Sequence, residues 1–204
     1  LGLDGTAPLT IARKKGGIDQ AAGTPTMGAG VWSYSFPVNA ATNGDDGTWE
    51  LTFTAKDAAG RTKSLTRRVT VETKKPVISY NNVEPYEGID ADGDGDYGDA
   101  GDERPAYNGT ATLKASIADD NAISGLYRAW SATPAAPAYA LNADLSVSGA
   151  GWTAYGGASK NSWTESVDTT ALGDGAHYLW LLAVDRFGNV GLLSDELWVD
   201  QETD

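Results

Sequence analysis

Apolar and polar residues alternate with a period of two along several short stretches of the chain. The clearest stretch runs from residue 49 to residue 56, where every second position is apolar: Trp49, Leu51, Phe53 and Ala55. Successive side chains of a β-strand point to opposite faces, so this pattern predicts a strand with one face in a core and the other in water. The same alternation predicts further strands at residues 32–38, 68–72, 111–117, 126–131 and 162–167.

The remaining sequence favours turns over helices. No stretch of useful length has the 3.6-residue periodicity of an amphipathic helix. Residues 132–145 are rich in alanine, but Pro134 and Pro137 would break a helix there. The 25 glycines suit tight turns between short strands. The predicted fold class is therefore all-β.

An internal repeat organises the chain. Residues 46–72 and 174–200 align without a gap at an offset of 128 residues, the difference between 174 and 46. Both copies contain an Asp-Gly turn, a strand, a second turn of the form Asp-x-x-Gly and a second strand. The offset pairs Asp57 with Asp185 and Gly60 with Gly188. We therefore expect two modules that share the same antiparallel strand pair.

The repeat also predicts the domain boundaries. We expect a first module at residues 1–72, a second at 73–200 with an insertion at about 80–160, and a following linker or module from 201–204. Residues 14–30 are rich in glycine where two or three strands are expected, which leaves open whether the first module is complete. The chain opens without Met or a secretory signal pattern, so we expect a piece of a longer protein.

The repeated pattern resembles bacterial immunoglobulin-like repeats, which are related in shape to cadherin and fibronectin type III modules. The segments that carry the resemblance are DGTWELTFTAKDAAG and DGAHYLWLLAVDRFG, each followed by a strand ending in Val-x-Glu or Val-x-Asp. It implies tandem immunoglobulin-like β-sandwich modules, the second with a long insertion. It also implies a non-catalytic structural or adhesive role, extracellular or at a bacterial cell surface, with neighbouring modules of the same chain as partners.

Charge and composition exclude several function classes. The net charge of −13 and the sequence pI of about 4.3 disfavour nucleic acid, whose phosphates attract Lys and Arg. The absence of cysteine excludes disulfides, thiolate metal sites and cysteine nucleophiles. No run of apolar residues is long enough to span a bilayer.

An acidic segment at residues 90–103 is the candidate metal site. Aspartate at alternate positions followed by glycine resembles the start of a calcium-binding loop, although Gly101 stands where an EF-hand has Glu. The alternative is a solvated acidic loop without a metal. The expected Ca2+ ligands are Asp90, Asp92, Asp94, Asp96, Asp99, Asp102 and Glu103.

Three other positions have a structural interpretation that we favour. Asp57 and Asp185 precede Gly60 and Gly188, so they are expected to cap turns, with interdomain calcium as the alternative. His177 aligns with Trp49 at the start of a strand and has no recognisable catalytic partner.

The second copy of the repeat differs on its outward face. Residues that correspond to Glu50, Thr52 and Thr54 are large and apolar there. A large apolar patch is rarely left exposed on a monomer. We therefore expect the 80–160 insertion, or a partner subunit in self-association, to cover a patch formed by Tyr178, Trp180, Leu182, Val184 and Trp198.

Aromatic residues of the insertion suggest an alternative function. Tyr139, Trp152 and Tyr155 lie near glycine-rich turns and could stack on sugar rings. The alternative is therefore a carbohydrate-binding accessory module of a secreted polysaccharide-active enzyme, with a glycan as ligand. A planar row of exposed rings would favour it, whereas buried or capped rings would favour a spacer.

Overall fold

The computed structural model describes residues 8–29, 31–81, 106–157 and 159–201. The chain divides into two compact units, Leu1–Lys74 (unit 1) and Lys75–Asp204 (unit 2). Within the described ranges the structure is built from β-strands, apart from one 3-10 turn at Thr169–Ala171. The predicted all-β class is confirmed.

Unit 1 contains a four-stranded antiparallel sheet in the order β2-β1-β5-β6 and a short β3-β4 hairpin. Gly16 and Gly17 have positive φ angles of 55° and 85°, the backbone geometry of a two-residue hairpin turn, and they join β1 to β2. The strands are β1 Leu9–Lys15, β2 Ile18–Gly23, β3 Thr26–Gly28, β4 Val31–Ser33, β5 Gly47–Lys56 and β6 Thr62–Val71.

The two faces of this sheet differ in chemistry. On one face, Thr52 bonds Thr66 across the strand pair at 3.0 Å and Thr54 bonds Ser64 at 2.7 Å. The other face carries the predicted apolar residues, and its buried members are Ile11, Trp49 and Leu51. The alternation predicted for residues 49–56 is thus confirmed.

The predicted strand at residues 32–38 is only partly present. The strand β4 ends at Ser33, and residues 34–38 are outside any strand, so the prediction is wrong for them. Their aromatic side chains pack instead of pairing their backbone: the Phe36 ring centroid lies 5.0 Å from that of Trp49 and 6.0 Å from that of Tyr34. The alternation of large side chains in the sequence reflects the packing of these rings. A β-strand also needs a neighbouring strand with which its backbone can form hydrogen bonds.

Unit 2 has two antiparallel sheets, in the orders β12-β9-β14-β15 and β13-β8-β7, and a β10-β11 hairpin. The predicted strands at residues 111–117, 126–131 and 162–167 fall within β8, β9 and β13. The strands are β7 Val77–Tyr80, β8 Thr110–Ala118, β9 Ile123–Ser131, β10 Ala140–Leu141, β11 Val147–Ser148, β12 Thr153–Ala154, β13 Ser162–Asp168, β14 Gly175–Asp185 and β15 Val190–Val199.

The core of unit 2 lies between its two sheets. Leu113 and Trp163 come from the three-stranded sheet, and Leu179, Leu181 and Leu197 from the four-stranded sheet; all five are buried in one cluster. Seven strands in two antiparallel sheets around one core form an immunoglobulin-like sandwich.

Tyr80 also connects the two sheets of unit 2. Its hydroxyl lies 2.9 Å from the Leu179 carbonyl and 3.2 Å from the Leu193 carbonyl, so it donates a hydrogen bond from β7 to the opposite sheet. Burial, with a further contribution from Asp195, raises the pKa of this phenol above its ordinary value.

The repeat holds at the level of strand register. In unit 1, Gly47 pairs with Val71 and Lys56 with Thr62. In unit 2, Gly175 pairs with Val199 and Val184 with Val190, which are the same pairings shifted by 128 residues. The predicted equivalence of residues 46–72 and 174–200 is therefore confirmed.

Candidate functional surfaces

The repeated aspartates Asp57 and Asp185 cap the turns that follow their strands. The Oδ1 atom of Asp57 accepts the N–H groups of Ala59 and Arg61, both at 2.9 Å. Its Oδ2 atom accepts from the Arg61 guanidinium at 2.7 Å, and this bond holds the pKa of the carboxyl below its ordinary value. The predicted turn-capping role of Asp57 is confirmed.

Asp185 repeats the same arrangement in a buried setting. Its Oδ1 atom accepts the N–H groups of Phe187 and Asn189, both at 2.8 Å, and Oδ2 accepts from the Asn189 side-chain amide at 2.8 Å. The residue is fully buried. Gly188 has a φ of 88°, and the equivalent Gly60 has 84°, so both turns use the left-handed conformation that glycine adopts without strain. These carboxylates serve the local fold.

Trp49 and His177 make equivalent hydrogen bonds. Trp49 donates from Nε1 to the Asp45 carbonyl at 2.8 Å. The Nε2 atom of His177 lies 2.9 Å from the Gly173 carbonyl, which is the equivalent position of the second repeat. The predicted structural role of His177 fits this bond, which ties the ring to the turn ahead of its strand.

A third shared contact closes each repeat, and sequence reasoning missed it. The Asp46 carboxylate accepts a hydrogen bond from the Thr73 hydroxyl at 2.8 Å. The equivalent Asp174 carboxylate accepts one from the Gln201 backbone N–H at 2.8 Å. The signal was the recurrence of Asp before Gly, but its partner lies beyond the end of the aligned segment.

The apolar outward patch of the second repeat is largely buried. On the face of β14 that points away from the core, Trp180 is 9% exposed and both Leu182 and Val184 are 0% exposed. Tyr178 and Trp198 are half-buried. The expected cover is present within the chain. The expectation that Trp180 and Leu182 bind a surface partner is wrong, because a partner could not reach them.

Residues 132–145 connect points near the two ends of β14. β9 ends at Ser131, which pairs with Tyr178 near the start of β14. At the other end of β14, a methyl group built on Gly188 would lie 3.4 Å from Leu145 and 3.7 Å from Leu141. The chain therefore travels about 30 Å along β14 between these points. Residues 132–145 thus begin at one end of β14 and reach the turn at its other end.

The aromatic residues of this region do not form a planar row. The rings of Tyr139 and Trp152 meet edge to face, with centroids 6.0 Å apart and planes at 77°. Trp152 also donates from Nε1 to the Pro137 carbonyl at 3.2 Å. Tyr155 packs against the core. Tyr139 stays 39% exposed, so these rings pack on their neighbours without being fully buried.

The candidate calcium ligands lie outside the described residues. Asp90, Asp92, Asp94, Asp96, Asp99, Asp102 and Glu103 all fall in the range 82–105, so Ca2+ binding by them stays a prediction. In the part of the chain that the structure does describe, no group of three His, Cys, Asp or Glu side chains could hold a metal ion. Nor does that part contain a helix long and apolar enough to cross a membrane.

Comparisons with known proteins give structural neighbours only. No family model and no curated protein matches the chain. Fibronectin(III)-like modules of Clostridium thermocellum CbhA share 15% identity over 98% of this chain and 82% of that chain, with a TM-score of 0.36. A Ca2+-stabilized adhesin that helps an Antarctic bacterium bind ice shares 18% identity over 99% of this chain and 42% of that chain, with a TM-score of 0.40.

A third neighbour is a tetra-tandem repeat in the extending region of a large adhesion protein. It shares 19% identity over 95% of this chain and 42% of that chain, with a TM-score of 0.33. The chain thus spans less than half the length of either of these two adhesin structures. The strand order of unit 2, with a core enclosed between two antiparallel sheets, is that of an immunoglobulin-like β-sandwich.

Proposed function

We propose that this chain is a non-catalytic structural segment that spaces or presents other parts of a bacterial surface or secreted protein. The observation that supports it most is the recurrence of three side-chain contacts in the two repeats. In each repeat a turn aspartate, Asp57 or Asp185, accepts hydrogen bonds from backbone N–H groups of its own turn. In each repeat a ring nitrogen, of Trp49 or His177, also forms a hydrogen bond with a backbone carbonyl of the preceding turn. Asp46 and Asp174 each accept a hydrogen bond from a residue just after the second strand of their repeat, Thr73 and Gln201. Groups that could serve chemistry hold the fold in place instead.

Charge supports an exposed, hydrated setting for such a segment. The net charge of −13 keeps protein surfaces soluble and discourages self-association. The proposal therefore places the chain outside the cell or at its surface, next to further modules of the same polypeptide.

Calcium stiffening belongs to the same proposal. Seven carboxylates between residues 90 and 103 repel one another in the absence of a cation, and glycines between them permit a tight curl. Extracellular calcium modules bind at about 10⁻⁴ to 10⁻³ M, a range in which the ion is readily lost.

Single-molecule force spectroscopy tests the spacer role directly. Pulling the chain from its two ends should produce a distinct force peak for unit 2. Its contour-length increase should be about 45 nm for some 130 residues at about 3.5 Å each. Asp185→Ala should lower the force of that peak, while Asp57→Ala leaves it unchanged. Extension of unit 2 without a peak would contradict the proposal. So would saturable glycan binding that Trp152→Ala abolishes, which would favour the carbohydrate-binding alternative.

A further inference from the structure

Unit 1 has an apolar sheet face that is only partly covered. Register places Ile11, Phe53 and Leu65 side by side in one row, with Trp49 beside Val69 in another. We call the face that bears these five residues the open face. Ile11 and Trp49 are buried on it, but Leu65 is 51% and Val69 is 42% exposed. Cover is thus missing toward β6.

The second repeat shows what covers the equivalent face. Val69 corresponds to Leu197 and Phe53 to Leu181, and both residues of unit 2 are 0% exposed. They belong to the core that the β13-β8-β7 sheet closes from the other side. Around Phe53 and Val69 the same sheet face is therefore buried in unit 2 and only partly covered in unit 1, because only unit 2 has a second sheet of this kind among the described residues. Leu193, the equivalent of Leu65, stays 39% exposed in unit 2 as well.

One element of that second sheet has a counterpart in unit 1. The 128-residue offset carries Ser162–Asp168, the strand β13, onto residues 34–40. Within residues 34–38, Phe36 packs against Trp49 of the open face, with the ring planes tilted at 43°. In unit 2 the partner of β13 is β8, which pairs with it from Thr110 to Ser116. Among the described residues of unit 1, no strand takes the place of β8.

Charge on the open face selects between possible occupants. Arg13 pairs with Leu51, and Leu51 with Arg67, so these two cations lie on the open face. Lys15 and Lys63 share it by the same register. Two copies packed through this face would bring their cations together. A strand that carries carboxylates would be attracted instead, as Glu165 of β13 is to Arg128 in unit 2 at 2.6 Å.

We propose that the open face binds a β-strand segment that takes the place of β8, pairs with residues 34–38 and covers Phe53 and Val69. Its sequence would alternate apolar residues, as Ala111, Leu113, Ala115 and Ile117 do in β8, and would carry acidic residues next to them, as Asp119 and Asp120 follow β8. This proposal concerns a binding surface and goes beyond the spacer role.

A fusion tests it within the full chain. A copy of residues 108–120 is attached ahead of Leu1 through a flexible Gly/Ser linker, which gives the strand a millimolar effective concentration. Hydrogen exchange of the backbone amides in residues 34–38 and 65–71 is then measured by mass spectrometry. We expect exchange in both segments to slow about tenfold. Unchanged exchange in these segments would overturn the proposal.

Two controls separate specific docking from other effects. The same fusion with Leu113→Ser and Ile117→Ser in the added copy should give no protection. Val69→Ser in unit 1 should abolish protection, whereas Thr70→Ala, on the opposite face of β6, should retain it. Protection that rises with protein concentration in the unfused chain, together with a dimer in sedimentation, would identify a second copy as the occupant and overturn the proposal.

Discussion

The ring nitrogens of Trp49 and His177 bind equivalent carbonyl oxygens, although the two residues share no chemistry beyond a ring N–H. Each ring reaches back four residues, to Asp45 in the first repeat and to Gly173 in the second. What recurs is a bonding position at the start of the strand. The hydrogen bond is kept although Trp in one repeat is His in the other, because the strands around it have the same register.

The two turn aspartates should contribute unequally to stability. Asp185→Ala leaves three partly buried N–H groups without their acceptor, so it should cost about 3 kcal/mol in the free energy of unfolding of unit 2. Asp57→Ala should cost clearly less in unit 1, because water can replace the carboxylate there. Hydrogen exchange resolved by unit is the measurement, and equal losses at both sites would contradict the assignment.

The outward face of β14 offers a matched pair of substitutions. Leu182 is fully buried, whereas Thr54, its equivalent in unit 1, lies on a polar sheet face. Leu182→Ala should destabilise unit 2 by about 2–5 kcal/mol, as truncation of a core leucine does. Thr54→Ala should change the stability of unit 1 by about 0.5 kcal/mol or less. If Leu182→Ala were as mild as Thr54→Ala in urea unfolding, the outward face of β14 would not be buried as described.

Tyr80 should make unit 2 sensitive to alkaline pH. Burial raises the pKa of its phenol in the folded state, so the folded state holds this proton more tightly than the unfolded state does. The stabilisation that the protonated Tyr80 gives to unit 2 is therefore complete below the ordinary tyrosine pKa of about 10, and it is lost as the pH rises above that value. Tyr80→Phe should cost about 1 kcal/mol at neutral pH through the lost hydrogen bond. The variant should also lose stability less steeply above pH 10, and an identical slope in both proteins would exclude Tyr80 as the group responsible.

Calcium binding can be tested by titration. Isothermal titration with millimolar Ca2+ should release or absorb heat for the native chain, and the melting temperature should rise. The double variant Asp92→Ala with Asp94→Ala should lose both effects, because it removes two of the alternating carboxylates. If the native chain shows neither effect, residues 90–103 are a solvated acidic segment.

Sequence patterns predicted the parts of the fold in which alternation and pairing agree. The strand from Trp49 to Ala55 and its partner could be identified because both are amphipathic and the repeat confirms their register. The strand β1 was missed because Arg13 and Lys15 break the apolar alternation on the face that packs. For residues 34–38 the error was the opposite, because a strand was predicted where none forms. Aromatic side chains that pack on a sheet give the same alternating pattern as a paired strand.

The contacts of the candidate surfaces were harder to foresee. The turn role of Asp57 follows from local geometry, which Asp and Gly encode within four residues. The bond from Thr73 to Asp46 spans 27 residues, and Leu145 and Leu141 approach Gly188 across a gap of more than 40 residues. Such long-range relations carry no local pattern, so only the folded chain reveals them.

The connection between the first two strands of each four-stranded sheet has a practical consequence. In unit 1 the two residues Gly16 and Gly17 join β1 to β2, whereas in unit 2 residues 132–152 separate β9 from β12. The same strand order is thus compatible with connections of very different length, and lengthening a surface loop costs little entropy. The Gly16–Gly17 turn is accordingly the place to insert an epitope or a binding peptide, so that the sheet would display it at the end of a hairpin.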